Sequence, residues 1–103
     1  GMTTLLTKWG YQVFKATEPE QALELIQQEN IQVWLVDQHL DDSQSGFAFL
    51  QQHLPQGIMA ALITADSDPE LPQRVKQHGW VFLKKPLKPA ALRAFLTQAK
   101  TRA

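Results

Sequence analysis

Three side chains of different chemistry each follow an apolar run: Asp37 ends Ile31–Asp37, Thr64 ends Ile58–Thr64, and Lys85 follows Trp80–Leu83. If the runs are strands, a carboxylate, a hydroxyl and an ammonium meet at one edge of a sheet. Open α/β sheets bind their ligands in the crevice beyond the carboxyl ends of such strands. Asp37 is then an acid presented to solvent on a rigid support. Taken singly, each residue has an ordinary reading. Asp is favoured as a helix N-cap or turn residue, Thr64 is a strand-end hydroxyl, and Lys85 is a surface lysine.

The elements that must position these residues alternate. Val33, Trp34, Leu35 and Val36 form a continuous apolar run rich in β-branched and aromatic residues, as in a strand covered on both faces. Thr3–Trp9 reads as the last turns of a helix, with Gly10 as its C-terminal residue. Tyr11–Lys15 reads as a short strand. Thr17-Glu18-Pro19-Glu20 has the form of a capping box opening a helix to about Glu29, with Ala22, Leu23, Leu25 and Ile26 as its buried stripe. Phe47, Leu50 and Leu54 mark the inner face of the next helix, which Pro55 and Gly57 end. Ser67-Asp68-Pro69-Glu70 is a second capping box, but Pro72 keeps the helix after it short. His78-Gly79 closes that helix. The last helix carries Leu92, Phe95, Leu96 and Ala99 at i, i+3, i+4 and i+7. Strands alternating with helices predict an α/β fold with a parallel sheet. Strand alternation sends Lys84 to the face opposite Lys85.

Along Asp37–Gly46, followed by Phe47, Phe49 and Leu50, the chain resembles the strand, loop and helix around the phospho-accepting aspartate of response regulator receiver domains. Asp37-Gln38-His39-Leu40 with Ser45-Gly46 is similar to the version in receiver modules of hybrid sensor histidine kinases. Thr64 falls at the switch Ser/Thr with small Ala65 after it, Lys85 precedes Pro86, and Phe82 falls at the switch aromatic. The resemblance covers nearly the whole chain. It implies a flavodoxin-like doubly wound sheet with helices on both faces, strand order 2-1-3-4-5, and a cis Lys85–Pro86 bond. It also implies a phosphoprotein of two-component or phosphorelay signalling, a module and not an enzyme. Asp37 takes a phosphoryl group from a histidine kinase or phosphotransfer domain, Lys85 and Thr64 hold its oxygens, and Ala65 leaves room. Phe82 is expected in the core besides its switch role.

Receivers also hold Mg²⁺ through an acidic pair at the end of their first strand and a backbone carbonyl, here that of His39. The chain starts inside the following helix, so the resemblance implies a receiver lacking its first strand, the start of its first helix and that pair. Weak or absent Mg²⁺ binding is expected, since Asp41 and Asp42 lie on the loop after Asp37 and do not replace the pair in position. A missing central strand would leave a gap of roughly 10 Å, strands being about 4.8 Å apart. Either Tyr11–Lys15 pairs with Ile31–Asp37 or a second chain fills the slot; a homodimer is the expectation.

Composition sets the remaining limits. The 103 residues suffice for one domain, 1–103, with Gly1 ahead of Met2 read as an expression scar. An apolar content of 44% and a charged content of 19% are ordinary for a globular chain. No apolar run approaches the roughly 20 residues that span a bilayer, and no leader is evident. Zero cysteines exclude disulfides and thiolate metal sites and agree with a cytoplasmic location. All acids lie between Glu18 and Glu70, and bases alone follow from Arg74 to Arg102. Because Leu83, Leu87, Leu92, Phe95 and Leu96 interleave with those bases, they read as a solvated helix face, not a nucleic-acid site. His39, His53 and His78 lack metal-ligand spacing and read as surface or helix-end residues. Two other functions compete: a degenerate receiver that docks or dimerises without phosphorylation, and a phosphatase using Asp37. Against the phosphatase, Asp37-Gln38-His39 lacks the second acid two residues on that such hydrolases use.

Overall fold

The computed structural model describes residues 2–39, 44–65 and 67–102, in the order α1 (Met2–Lys8), α2 (Pro19–Gln28), β1 (Val33–Asp37), α3 (Gly46–His53), β2 (Met59–Thr64), α4 (Leu71–Gln77), β3 (Val81–Lys84) and α5 (Pro89–Arg102). The chain divides into two units, residues 1–30 and 31–103.

In the first unit, α1 ends in the bonds its glycine allows. Gly10 has φ +92°, so its own N–H donates to the Thr7 carbonyl and that of Tyr11 to the Leu6 carbonyl. The expected strand at Tyr11–Lys15 does not form, because a strand is defined by a ladder and residues 11–16 join none. The capping box is also displaced. Pro19 starts α2, which makes Glu18 the N-cap, without a side-chain bond, and moves the third helical position to Gln21. Gln21 Oε1 accepts from both the amide and the hydroxyl of Thr17, at 3.0 Å each, in place of Glu20. Ala22, Leu23, Leu25 and Ile26 share the expected face of α2 but are only half-buried.

The second unit holds a three-stranded parallel sheet in the order β1-β2-β3, which matches the 3-4-5 portion of the expected order. Asp37 lies opposite Ile63, and Thr64 opposite Lys84. All six residues of β2 are buried, as a central apolar strand requires. Helix α3 packs against β1 and β2, while α4 and α5 pack against β3. Burial of Leu92, Phe95, Leu96 and Ala99 on α5 follows the predicted stripe, while Lys88, Arg93 and Lys100 are exposed. Phe47, Phe49 and Leu50 are the buried face of α3; Leu54 is its C-cap and only half-buried.

Helix α4 is short, as Pro72 in its first turn dictates, but the second capping box does not form. Its N-cap is Glu70, without a side-chain bond, and Asp68 Oδ1 instead accepts from the Glu70 amide at 3.0 Å. At its other end Gly79, at φ +80°, lets the Trp80 amide reach the Val75 carbonyl. Phe47 is held there by side chains of α4 and of the turn that follows it. The Arg74 guanidinium lies 4.5 Å from its ring centre, and the rings of His78 and Trp80 meet it edge-on at 5.2 Å.

Candidate functional site

Two amide bonds stitch the three strand ends into one edge. Gln38 N–H donates to the Ile63 carbonyl and Lys85 N–H to the Thr64 carbonyl, both at 2.9 Å. Each bond extends its ladder one residue past the strand; Asp37 is level with Ile63 and Leu83, and Lys85 stands two residues beyond Leu83. Lys85 Nζ lies 2.6 Å from Asp37 Oδ2. The other carboxylate oxygen, Oδ1, accepts from the His39 amide at 3.0 Å. Both side chains remain open to solvent, at 40% for Asp37 and 44% for Lys85.

Partial burial works to raise the pKa of Asp37. The Lys85 hydrogen bond, the His39 amide and the charges of Lys85 and His39 together outweigh it, and hold the carboxyl below the ordinary carboxylate range. Asp37 is therefore ionised at neutral pH, solvent-accessible and paired with a cation. Such an oxygen pair can act as a nucleophile toward an electrophilic phosphorus, with Lys85 placed to neutralise incoming negative charge.

The remaining sequence-predicted residues sit as follows. Lys84 is exposed, and the lysine that reaches Asp37 is Lys85, as strand alternation leads one to expect. Lys85–Pro86 is cis. Thr64 is fully buried at 0% exposure, one residue beyond the partner of Asp37, and Ala65 after it is exposed. Phe82 is half-buried and not a core residue, because β3 lies at the edge of the sheet. His39 is exposed. His53 ends α3 half-buried against Phe49, and His78 is the exposed C-cap of α4, stacked on Trp80 at 4.4 Å. Leu40, Asp41 and Asp42 lie outside the described residues.

Two residues that sequence reasoning assigned no role shape the site. Gly46 opens α3 against Asp37 itself: a Cβ there would lie 2.3 Å from the Asp37 carbonyl oxygen. The Ser45-Gly46 pair at a helix start was the available signal, Ser45 being the N-cap whose Oγ accepts from Ala48 N–H at 3.1 Å. Gln38 accepts the Phe47 amide on its side-chain Oε1, and no sequence pattern marks a lone Gln for that task.

Mg²⁺ takes six oxygen ligands and is commonly held through one or two carboxylates. Asp37 and the His39 carbonyl are candidate donors, but Lys85 already occupies Oδ2, and the described residues contain no group of three or more His, Asp or Glu arranged to hold a metal. The described site does not by itself fit the ion.

An acid at the end of β1 thus meets a lysine just past β3, two strands away, at the carboxyl edge of a parallel α/β sheet. Residues 1–97 match the family model described as the response regulator receiver domain. The chain belongs to that family, and so to phospho-accepting two-component signalling, whose receivers bind Mg²⁺ and act with histidine kinases or phosphotransfer partners. Its fold is similar to the receiver domain of NtrX from Brucella abortus, at 20% identity and a TM-score of 0.80 over 93% of this chain and 83% of that one. It is likewise similar to the receiver domain of the Francisella response regulator 1452, at 20% identity and a TM-score of 0.77 over 98% and 88%. No curated protein sequence matches the chain. No helix among the described residues is long and apolar enough to cross a membrane.

Proposed function

We propose that this chain is a signalling module, not an enzyme, that takes a phosphoryl group onto Asp37 from the phosphohistidine of a histidine kinase or phosphotransfer domain. The observation that carries this reading is the solvent-open, ionised Asp37 held 2.6 Å from Lys85 Nζ at the strand-end edge. A carboxylate oxygen of Asp37 attacks phosphorus, the phosphorus–nitrogen bond breaks, the freed imidazole takes a proton from water, and an acyl phosphate remains. Lys85 pairs with one phosphoryl oxygen, Thr64 rotates to donate its hydroxyl to another beside small Ala65, and Phe82 turns inward as Thr64 moves. The Asp37–Gly46 resemblance supports a cytoplasmic place beside a sensor histidine kinase, as in hybrid kinases and phosphorelays.

A second reading, docking or homodimerisation without phosphorylation, has one observation in its favour: the described residues lack a metal-ligand group. The edge position of β1 would suit pairing with a second copy. One experiment separates the two. Wild type and Asp37→Asn are incubated with acetyl phosphate and Mg²⁺, and incorporation is read by intact mass. An added phosphoryl group on wild type alone is expected. Equal incorporation in the mutant would remove Asp37 from its role, and none in wild type would favour docking.

A further inference from the structure

We propose that Gln38 is a positioning residue for phosphoryl acceptance: it clamps the turn that carries Asp37 onto the start of α3. The inference rests on the function proposed above and concerns a residue outside the acceptor, lysine and hydroxyl set. Gln38 is bound on three sides. Its N–H donates to Ile63 on β2, its carbonyl accepts the Gly46 amide at 2.9 Å, and its side-chain Oε1 accepts the Phe47 amide at 2.9 Å. Gly46 and Phe47 are the first two residues of α3, whose N–H groups have no partner inside the helix. Ser45 Oγ accepts from Ala48, the third residue of the same turn, so Gln38 and Ser45 divide the capping of α3 between them.

The geometric consequence falls on Asp37. The His39 amide reaches Asp37 Oδ1 only while residues 37–39 keep a tight turn, and Gln38 is the middle of that turn. Phe47, the residue it grips, is itself fixed by Arg74, His78 and Trp80. The carboxylate therefore has two restraints: Lys85 on one oxygen, and on the other an amide whose placement depends on Gln38. Without the clamp the carboxylate can swing about its bond to Cα, and attack in line becomes rarer.

The test compares Gln38→Met, which keeps length but accepts no N–H bond, with Gln38→Glu, which keeps the acceptor and suits the positive end of a helix. Acyl phosphate formation is followed at saturating acetyl phosphate, and amide hydrogen exchange at His39 and Phe47 is followed by NMR on the unphosphorylated proteins. Gln38→Met is expected to slow the maximal rate roughly tenfold and to speed exchange at both amides, with the half-saturating donor concentration unchanged; Gln38→Glu is expected to restore both. Gln38→Asn is too short to reach Phe47 and carries the same expectation if Gln38→Met does not fold. Faster exchange at Phe47 with His39 and the rate unchanged would make Gln38 a helix cap alone and overturn the proposal. If wild type accepts no phosphoryl group, the functional reading fails, and unchanged His39 exchange in Gln38→Met would overturn the clamp separately.

Discussion

Replacing Gly46 by Ala tests whether α3 is seated directly on the backbone of Asp37. The added Cβ would stand 2.3 Å from the Asp37 carbonyl oxygen, 2.9 Å from its carbon and 2.9 Å from Leu62 Cδ1. Relaxed non-bonded contacts lie about 3.5 Å apart or more, so the helix start has to retreat by roughly 1 Å. Two obstacles are backbone atoms of a strand laddered to buried β2, and they cannot swing aside as a side chain would. Retreat also lengthens the 2.9 Å bond from the Gly46 amide to the Gln38 carbonyl. Overpacking of this kind costs about 1–3 kcal/mol, and the rigid neighbours place it at the upper end. Against it stands the higher helix propensity of Ala, about 1 kcal/mol at most. The balance is a loss of about 2 kcal/mol, equivalent to a fall in melting temperature of roughly 8–16 °C for a domain of this size. Urea and thermal unfolding followed by circular dichroism measure it. The sign decides: propensity alone predicts a more stable mutant, so an unchanged or raised midpoint would refute the close approach.

Lys85→Met should leave stability at pH 7 within about 1 kcal/mol, because the ion pair is substantially exposed, yet should sharply reduce acyl phosphate formation; a mutant accepting phosphate at the wild-type rate would remove Lys85 from the site. The pH dependence has a definite sign. The folded pKa of Asp37 lies below its unfolded value, so the pair's contribution is present above the unfolded pKa and is lost as pH falls through the folded one, in a window below about pH 4. Wild type should therefore be slightly more stable than Lys85→Met above that window, with the gap closing as pH falls through it; a gap that persists undiminished below the window would contradict the assignment. Beryllofluoride, as a phosphoryl mimic, should shift the amide resonances of Thr64 and of Val81–Lys84, since buried Thr64 must move and Phe82 is only half-buried. Unchanged resonances there would argue against a switch.

What could be read before the fold was known was whatever depended on local pattern. The run Val33–Val36 and the wholly apolar Met59–Ile63 declare strands, and both form; β2 is buried throughout, whereas β1 buries only Trp34 and Val36 and leaves Val33 and Leu35 half-buried. Alternation along Trp80–Leu83 chose Lys85 over Lys84, and the 2.6 Å contact with Asp37 agrees. The apolar spacing on α5 likewise named its buried residues. Capping motifs were less reliable, because a motif names a residue pair and not the helix position that each occupies. Pro19 moved the start of α2 by one residue, so Gln21 answers Thr17; Pro72 in the first turn of α4 left Glu70 as an N-cap without a side-chain bond.

The misreadings share a physical cause, which is that each concerned a property held jointly with a distant residue. Tyr11–Lys15 has the composition of a strand, but backbone pairing belongs to two segments, and residues 11–16 have no ladder partner. Phe82 looked like a core residue because Phe is usually buried; its half-exposure follows from the place of β3 at the sheet's edge, which only the topology discloses. Gly46 and Gln38 are the same case seen from the site. A glycine after a serine reads as part of a helix start, and only the approach of the Asp37 carbonyl explains why a side chain is excluded. Gln38 reads as a linker between an acid and a histidine until Phe47, nine residues on, supplies the amide that its side chain accepts. The Asp37–Lys85 pair was legible because both residues sit at the ends of strands, where pattern fixes direction. The residues that hold them in place act across the loop, and their roles follow from contacts that no local pattern records.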